Sequence, residues 1–171
     1  MKVKTFILLS ALPGSGKSTW SEEYRLTHKN VFVVSSDALR VEIGGAIQNN
    51  QHEDEVWARF RGDILKYRDT SKDVTVIADA TNITNWHRKF YAEHAQGFDK
   101  KILVIFKKNF EEALEGNKAR GNDRIVPDFA MENMQKRWED PDDEVRSLYD
   151  EVIVINNHFE APHVKKEFHY N

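Results

Sequence analysis

Residues 11–19 read Ala-Leu-Pro-Gly-Ser-Gly-Lys-Ser-Thr and follow the apolar run Phe6-Ile7-Leu8-Leu9. Residue types in that order suit the cradling of phosphate. Successive backbone N–H groups can curl around phosphate oxygens only where side chains are small. The pattern G-x-x-x-x-G-K-[ST] is met at Gly16, Lys17 and Ser18, with Ala11 in place of the first glycine. Lys17 supplies a point charge for terminal phosphates, and the Ser18 hydroxyl is a magnesium ligand of the right hardness. Pro13, Gly14, Ser15, Gly16, Lys17, Ser18 and Thr19 are therefore the candidate nucleoside-triphosphate site.

Further candidates follow other apolar runs. Asp37 and Arg40 lie in Val34-Ser35-Ser36-Asp37-Ala38-Leu39-Arg40, just past a second run. In an open parallel sheet, ligands collect at the carboxyl ends of strands, so Asp37 and the phosphate loop face one crevice. A carboxylate there can take the proton of an attacking hydroxyl, and Arg40 can hold an acceptor phosphate. The competing reading makes Asp37 a helix cap and Arg40 a surface residue. Asp79, Thr81 and Asn82 end a third run, Val74-Thr75-Val76-Ile77-Ala78-Asp79. An Asp at that place organises magnesium in phosphate-loop proteins, with Ser18 as its partner. Turn and cap roles are the alternative for Asp79 and Asn82. Arg88 and Lys89 follow and place positive charge on the acceptor side. The polar stretch Gly116-Asn117-Lys118-Ala119-Arg120-Gly121-Asn122-Asp123-Arg124 can close over a nucleotide and bring Arg120, or Arg124, to the transferring phosphoryl group. It can equally be an exposed helix–helix loop.

The elements that must position these residues follow from the hydrophobic pattern. Thr5–Ser10, Val31–Ser35, Val74–Ala78, Ile102–Phe106 and Val152–Ile155 are continuous apolar runs of strand length, as strands covered on both faces require. Helices are expected at 18–27, 53–69, 84–96 and 110–118, and from Pro127 to near Pro141. In 53–69, Val56, Trp57, Phe60 and Ile64 form an apolar stripe, with Trp57 and Phe60 expected in the core. Arg59, Arg61, Lys66, Arg68 and Lys72 put a basic surface on the same segment. The acidic cluster Glu139–Glu144 reads as a solvated turn with acids opening the next helix. The order predicts an α/β three-layer sandwich with a mainly parallel five-stranded sheet over residues 1–157, and a tail over 158–171.

Composition narrows the classes. The 171 residues carry 25 Lys+Arg against 28 Asp+Glu, a net charge of −3, so no global basic balance points to nucleic acid. The absence of cysteine removes disulfides, thiolate nucleophiles and cysteine zinc sites. No membrane span or signal-peptide pattern is seen, and a cytoplasmic location is expected. His158, His163 and His169 lack ligand-like partners.

The chain resembles the kinase domain of phage polynucleotide kinase and related small P-loop kinases. The resemblance rests on Pro13–Trp20, Asp37-Ala38-Leu39-Arg40, Asp79-Ala80-Thr81-Asn82, Asn117–Gly121 and Val126-Pro127, in that order over roughly residues 3–140. It departs in carrying Ala80 directly before the Thr-Asn pair, with Asp79 one step earlier. The resemblance implies a P-loop kinase fold with a lid, and transfer of the γ-phosphoryl of ATP, with Mg2+, to a 5′-hydroxyl of DNA or RNA. It implies Asp37 as general base, Arg40 as acceptor-phosphate ligand and Arg120 as lid arginine. Arg40, Asp79, Thr81, Asn82 and Arg88 are then the acceptor-side set. A small-molecule acceptor is the alternative partner. A nucleotide-dependent switch is disfavoured: none of the eight glycines has Asp three residues before it, and Asn117-Lys118-Ala119-Arg120 breaks the guanine motif at its last position.

Overall fold

The computed structural model describes residues 2–70, 72–107, 109–121 and 124–156, so the stretch 158–171 and its histidines lie outside the described residues. Five parallel strands form one sheet: β1 (Lys4–Ser10), β2 (Val31–Ser35), β3 (Val74–Asp79), β4 (Lys100–Lys107) and β5 (Glu151–Asn156). Their order is β2-β3-β1-β4-β5. The central strand β1 pairs with β3 through Lys4↔Val74 and with β4 through Thr5↔Lys100. The helices are α1 (Lys17–Thr27), α2 (Ser36–Gly44), α3 (Glu53–Arg68), α4 (Asn85–His94), α5 (Phe110–Lys118), α6 (Asp128–Arg137) and α7 (Asp143–Leu148).

Side-chain alternation along β1 divides the core. Phe6 and Leu8 pack with Val56, Phe60 and Ile64 of α3 and with Tyr91 and Ala92 of α4. Ile7 and Leu9 pack on the opposite face with Trp20 and Tyr24 of α1. Both faces are dry, so β1 shows a continuous apolar run. A smaller cluster of Leu12, Ile83, Ala113 and Met131 lies under α5 and α6. The expected three-layer α/β sandwich with its five-stranded sheet is therefore the observed fold.

Boundary differences have local causes. The helix expected up to Pro141 ends at Arg137, where Trp138 leaves helical geometry and turns its indole N–H to Asp140. Asp142 caps α7 by accepting from the Val145 N–H, in keeping with the acids read as opening a helix. Ser35, not Asp37, caps α2: its hydroxyl accepts from the Ala38 N–H at 3.2 Å. The cap reading of Asp37 is thereby removed. Lys72 lies beyond α3, which ends at Arg68.

Candidate active site

The phosphate loop joins β1 to α1. Gly14 and Gly16 both have left-handed backbone, with φ of 80° and 92°. Gly16 is the N-cap of α1 and contributes no side-chain cap, so the first N–H groups of the helix stay open to an anion. Ser15 Oγ is buried and has no hydrogen-bond partner among the described residues. An orphaned hydroxyl, an uncapped helix start and left-handed glycines are what a phosphate group would satisfy. A Cβ on Gly14 would strike the Ala113 carbonyl oxygen, and one on Gly116 would strike the Gly14 carbonyl oxygen. The loop is thus seated backbone to backbone on α5.

Asn117 fixes the next part of the site. It is fully buried; its Nδ2 donates to the Val126 carbonyl at 2.7 Å, and its Oδ1 accepts from the Val126 N–H at 3.0 Å. This clip closes the loop that presents Arg120. Arg120 Nη2 donates to Asp37 Oδ2 at 3.0 Å, across the crevice between α5 and α2. Arg40 Nη1 donates to the other Asp37 oxygen at 2.8 Å. Burial pushes the Asp37 carboxyl upward, but Lys17, Arg40 and Arg120 together outweigh it and hold the group below its ordinary value. Asp37 is therefore ionised at neutral pH.

Glu53, the first residue of α3, accepts from both Nε and Nη2 of Arg40, at 3.0 and 2.9 Å. Arg40 also lies over the Trp57 ring, 5.4 Å from its centroid. Three of the five guanidinium N–H groups are thus engaged by carboxylates. The acceptor-phosphate role for Arg40 is corrected to this extent: the structure gives it two carboxylate partners and leaves only two N–H groups for a ligand. Glu53 was missed because it lies thirteen residues from Arg40 across a loop.

Asp79, at the end of β3, is 5% exposed, and its carboxylate accepts from Ser18 Oγ at 3.4 Å. Burial raises its pKa, Lys17 opposes that, and the nearby Asp37 charge adds to the rise. Two hard oxygen donors side by side, one of them a buried carboxylate, fit a magnesium ion that takes its other ligands from phosphate and water.

Two cavities meet here. One of about 360 Å³ is bounded by Gly16, Thr19, Gly116 and Arg124. The other, of about 170 Å³, is bounded by Asp37, Arg40, Trp57, Asp79, Thr81 and Met134. Lys17, Ser18 and Arg120 line both. Trp57, read from the sequence as core, is half-buried and forms a wall of the second cavity.

Two acceptor-side residues belong elsewhere. Arg88 has no exposed surface. Its Nε and Nη2 donate to Ser10 Oγ at 3.1 and 3.0 Å, Nη2 also to the Ile83 carbonyl, and Nη1 to Asn85 Oδ1 and the Glu139 carbonyl. Burial pushes its guanidinium down to about 10, against acidic neighbours led by Glu139. Every polar edge is spent inside the fold, so Arg88 is corrected from an acceptor ligand to a structural pin. Asn82 is likewise buried, donates to the Leu9 carbonyl at 2.8 Å, and has a left-handed φ of 44°. The basic surface on α3 is also partly neutralised: Arg59 pairs with Glu42 and Asp63, and Arg68 with Asp69.

With this geometry in place, the fold and site define a P-loop protein of kinase-like architecture. A family model described as an AAA domain matches residues 7–141, and the chain belongs to that family of P-loop NTPases. Among solved structures, Chaetomium thermophilum Kti12 in complex with ADP-AlF3 is similar at 18% identity, with 96% of each chain covered and a TM-score of 0.71. Pnkp1 of the Pnkp1/Rnl/Hen1 RNA repair complex is similar at 20% identity over 80% of this chain and 44% of that one, with a TM-score of 0.69. A gluconokinase from Sinorhizobium meliloti 1021 is similar at 17% identity over 98% and 90%, with a TM-score of 0.63. These likenesses establish the fold. Among the described residues, no helix is long and apolar enough to cross a membrane.

Proposed function

We propose that the protein transfers the γ-phosphoryl group of ATP to an alcohol, and that the alcohol is the 5′-hydroxyl of a nucleic acid. The observation that carries the kinase reading is the junction of the two cavities at Lys17, Ser18 and Arg120, with ionised Asp37 facing the second. The triphosphate lies along the phosphate loop in the first cavity. Lys17 meets the β- and γ-phosphate oxygens. The acceptor hydroxyl enters the second cavity beside Asp37, which takes its proton as the new O–P bond forms. The bond between the γ-phosphorus and the bridging oxygen breaks, and ADP is released. Arg120 moves from Asp37 to the transferring group, where a planar guanidinium matches the equatorial oxygens. Ser18 and Asp79 would hold Mg2+, which neutralises charge on the β- and γ-oxygens when bound.

The nucleic-acid acceptor is supported by the sequence resemblance and by the two N–H groups that Arg40 keeps for a phosphate. A second reading, a small polyhydroxy acceptor, is favoured by the small volume of the second cavity and by the neutralisation of Arg40 by Glu53. An assay with γ-labelled ATP against 5′-hydroxyl oligonucleotides and a panel of sugars and polyols decides between them. Label on the oligonucleotide supports the first reading. Label only on a small alcohol replaces it with the second, and no transfer to any alcohol overturns both.

A further inference from the structure

The last turn of α5 holds both halves of the site. Gly116 borders the first cavity, and a Cβ there would strike the Gly14 carbonyl of the phosphate loop. A Cβ on Gly14 would in turn strike the backbone nitrogen of Asn117. The donor loop and the end of α5 therefore touch with no side chain between them. In close-packed contact a shift of one is felt by the other.

Asn117 holds the acceptor side. It has no exposed surface and borders neither cavity. Its carboxamide spends both edges on a single residue nine positions further along, donating to the Val126 carbonyl and accepting from the Val126 N–H. Two bonds exchanged with one residue copy a pair in an antiparallel ladder, and they fix direction as well as distance. A buried carboxamide is costly unless both ends are met, so Asn117 and Val126 fix each other. Val126 borders the second cavity and leads through Pro127 into α6, whose Met134 borders it too.

The main chain of Asn117 holds Arg120 as well. Its carbonyl accepts from the Arg120 N–H at 3.2 Å, in the turn that follows the end of α5 at Lys118. From that turn Arg120 reaches Asp37 Oδ2 and borders both cavities. A guanidinium on a long stem is aimed only as well as the shell behind it is held.

We propose that Asn117 is a positioning residue for phosphoryl transfer: one buried amide keeps Arg120 and the Val126 wall of the acceptor cavity in register with the phosphate loop seated on α5. Asn117 touches no substrate. It acts through Arg120 on the transferring group and through Val126 on the acceptor. This rests on the kinase reading of the site and holds for either class of acceptor. An apolar side chain could fill the same space but could not meet the Val126 N–H and carbonyl.

The test is a double-mutant cycle, read with γ-labelled ATP and whichever alcohol the parent phosphorylates. Rates are taken per folded molecule, below the melting transition of every variant. Asn117→Ala should lower kcat by roughly 10²-fold, the cost of about an ångström of misplacement at the reacting centre. KM for ATP should stay near that of the parent, because the seat of the phosphate loop on Gly116 is untouched. KM for the acceptor should rise severalfold as the Val126 wall loosens. In the Arg120→Ala background, where roughly 10³-fold is already lost, Asn117→Ala should add little to the loss in kcat. A residue that served only the fold would add its full factor in both backgrounds, since independent effects multiply. Asn117→Ser keeps a hydroxyl for one of the two Val126 bonds and should fall between Asn117→Ala and the parent. It takes the place of Asn117→Ala in the cycle if that variant melts below the assay temperature. Equal kcat in parent and variant overturns the proposal, as does a full multiplicative loss in the Arg120→Ala background. Loss of cooperative melting in both variants also overturns it and leaves Asn117 a residue of the fold alone. A parent that phosphorylates no alcohol removes the kinase reading and any role of Asn117 in transfer. An active parent whose transfer is indifferent to Asn117 removes this proposal alone.

Discussion

Arg88 and Arg120 both reach the carboxyl edge of the sheet, and they meet opposite fates there. Arg88 is sealed between β1, α4 and the segment after α6, bonded to neutral oxygens of Ser10, Ile83, Asn85 and Glu139 and packed 5.1 Å from the Trp138 ring. Arg120 faces a cavity and pairs with a carboxylate that also pairs with Arg40. The first arrangement leaves no donor for a ligand. The second is an exchangeable contact, because a phosphate offers Arg120 a charged oxygen acceptor in place of the single Asp37 oxygen it holds. A guanidinium surrounded by carbonyls holds a fold together, whereas one that shares a carboxylate at a cavity junction is available for chemistry.

The largest effects should separate the two regions by kind of damage. Lys17→Ala should reduce phosphoryl transfer to background in the labelled-ATP assay, and Arg120→Ala should lower kcat by roughly 10³-fold, as for other arginines that meet the transferring group. Neither should move the melting temperature by more than a few degrees. A loss in Arg120→Ala confined to the KM for ATP would make Arg120 a ground-state contact. Asp37→Asn should cost roughly 10²- to 10⁴-fold in kcat, the range for a positioned general base. The fold should survive, because Ser35 caps α2. A fully active Asp37→Asn would end the general-base assignment.

The pH profile sharpens the same region. The folded pKa of Asp37 lies below its ordinary value of 3.8. Its stabilising contacts are therefore complete above that value and are lost as pH falls through the lower, folded one. Activity per folded molecule should show no acidic fall from Asp37 between pH 7 and about 5. Arg120→Ala removes one of the cations that depress Asp37, so any residual activity should lose its base at a higher pH than the parent does. An unmoved acidic limb would mean that Asp37 is not the titrating base.

Arg88→Met should do the reverse. Its removal leaves the Ser10 hydroxyl oxygen and the Glu139 carbonyl without their donor, at about 1–3 kcal/mol for each group left unpaired, while the Ile83 carbonyl keeps the Glu139 N–H. The melting temperature should fall by roughly 4–24 °C for those two groups, on the scale of 2–4 °C per kcal/mol for a domain of this size. Activity per folded molecule at low temperature should stay near that of the parent. A melting temperature equal to the parent's, with a raised acceptor KM, would return Arg88 to the acceptor side.

This pair of regions also marks what a sequence can disclose. The phosphate loop was legible because its signal is local: small residues, Lys17 and Ser18 between a buried strand and a helix. The five strands were legible because both faces of the sheet are dry. Arg88 was not, because its burial depends on Ser10, 78 residues away, and on Glu139, 51 residues away. A basic pair after Thr81-Asn82 looks the same whether it faces solvent or the core. Asp37 was legible as a site residue but not separable from a cap, since the choice between Ser35 and Asp37 turns on a two-residue shift in the helix start. Trp57 belonged to a stripe at helical spacing, which is the pattern of core, and only the neighbouring Arg40 and the cavity distinguish it. The tail over residues 158–171 lies outside the described residues.

The smallest expected effect tests how far the exchangeable region is tuned. Glu53 neutralises Arg40 through two contacts, with the carboxylate one-third exposed and the guanidinium 17% exposed. The pair pins α2 to α3 and sets how much positive charge the second cavity presents. Glu53→Gln keeps the shape and one acceptor oxygen but removes the charge, so Arg40 should turn more freely toward a ligand. A pair with this exposure is partly screened, so the change should be severalfold rather than orders of magnitude. For an acceptor with a phosphate beside its hydroxyl, as at a polynucleotide 5′ end, Glu53→Gln should lower KM a few-fold, with kcat little changed. For a neutral polyol, the same substitution should leave KM alone or raise it, because Glu53 then holds a wall in place without opposing any ligand charge. The ratio of the two KM values between Glu53→Gln and parent therefore reports which acceptor the cavity is charged for. A ratio of one would show that Glu53 acts only as a brace between α2 and α3.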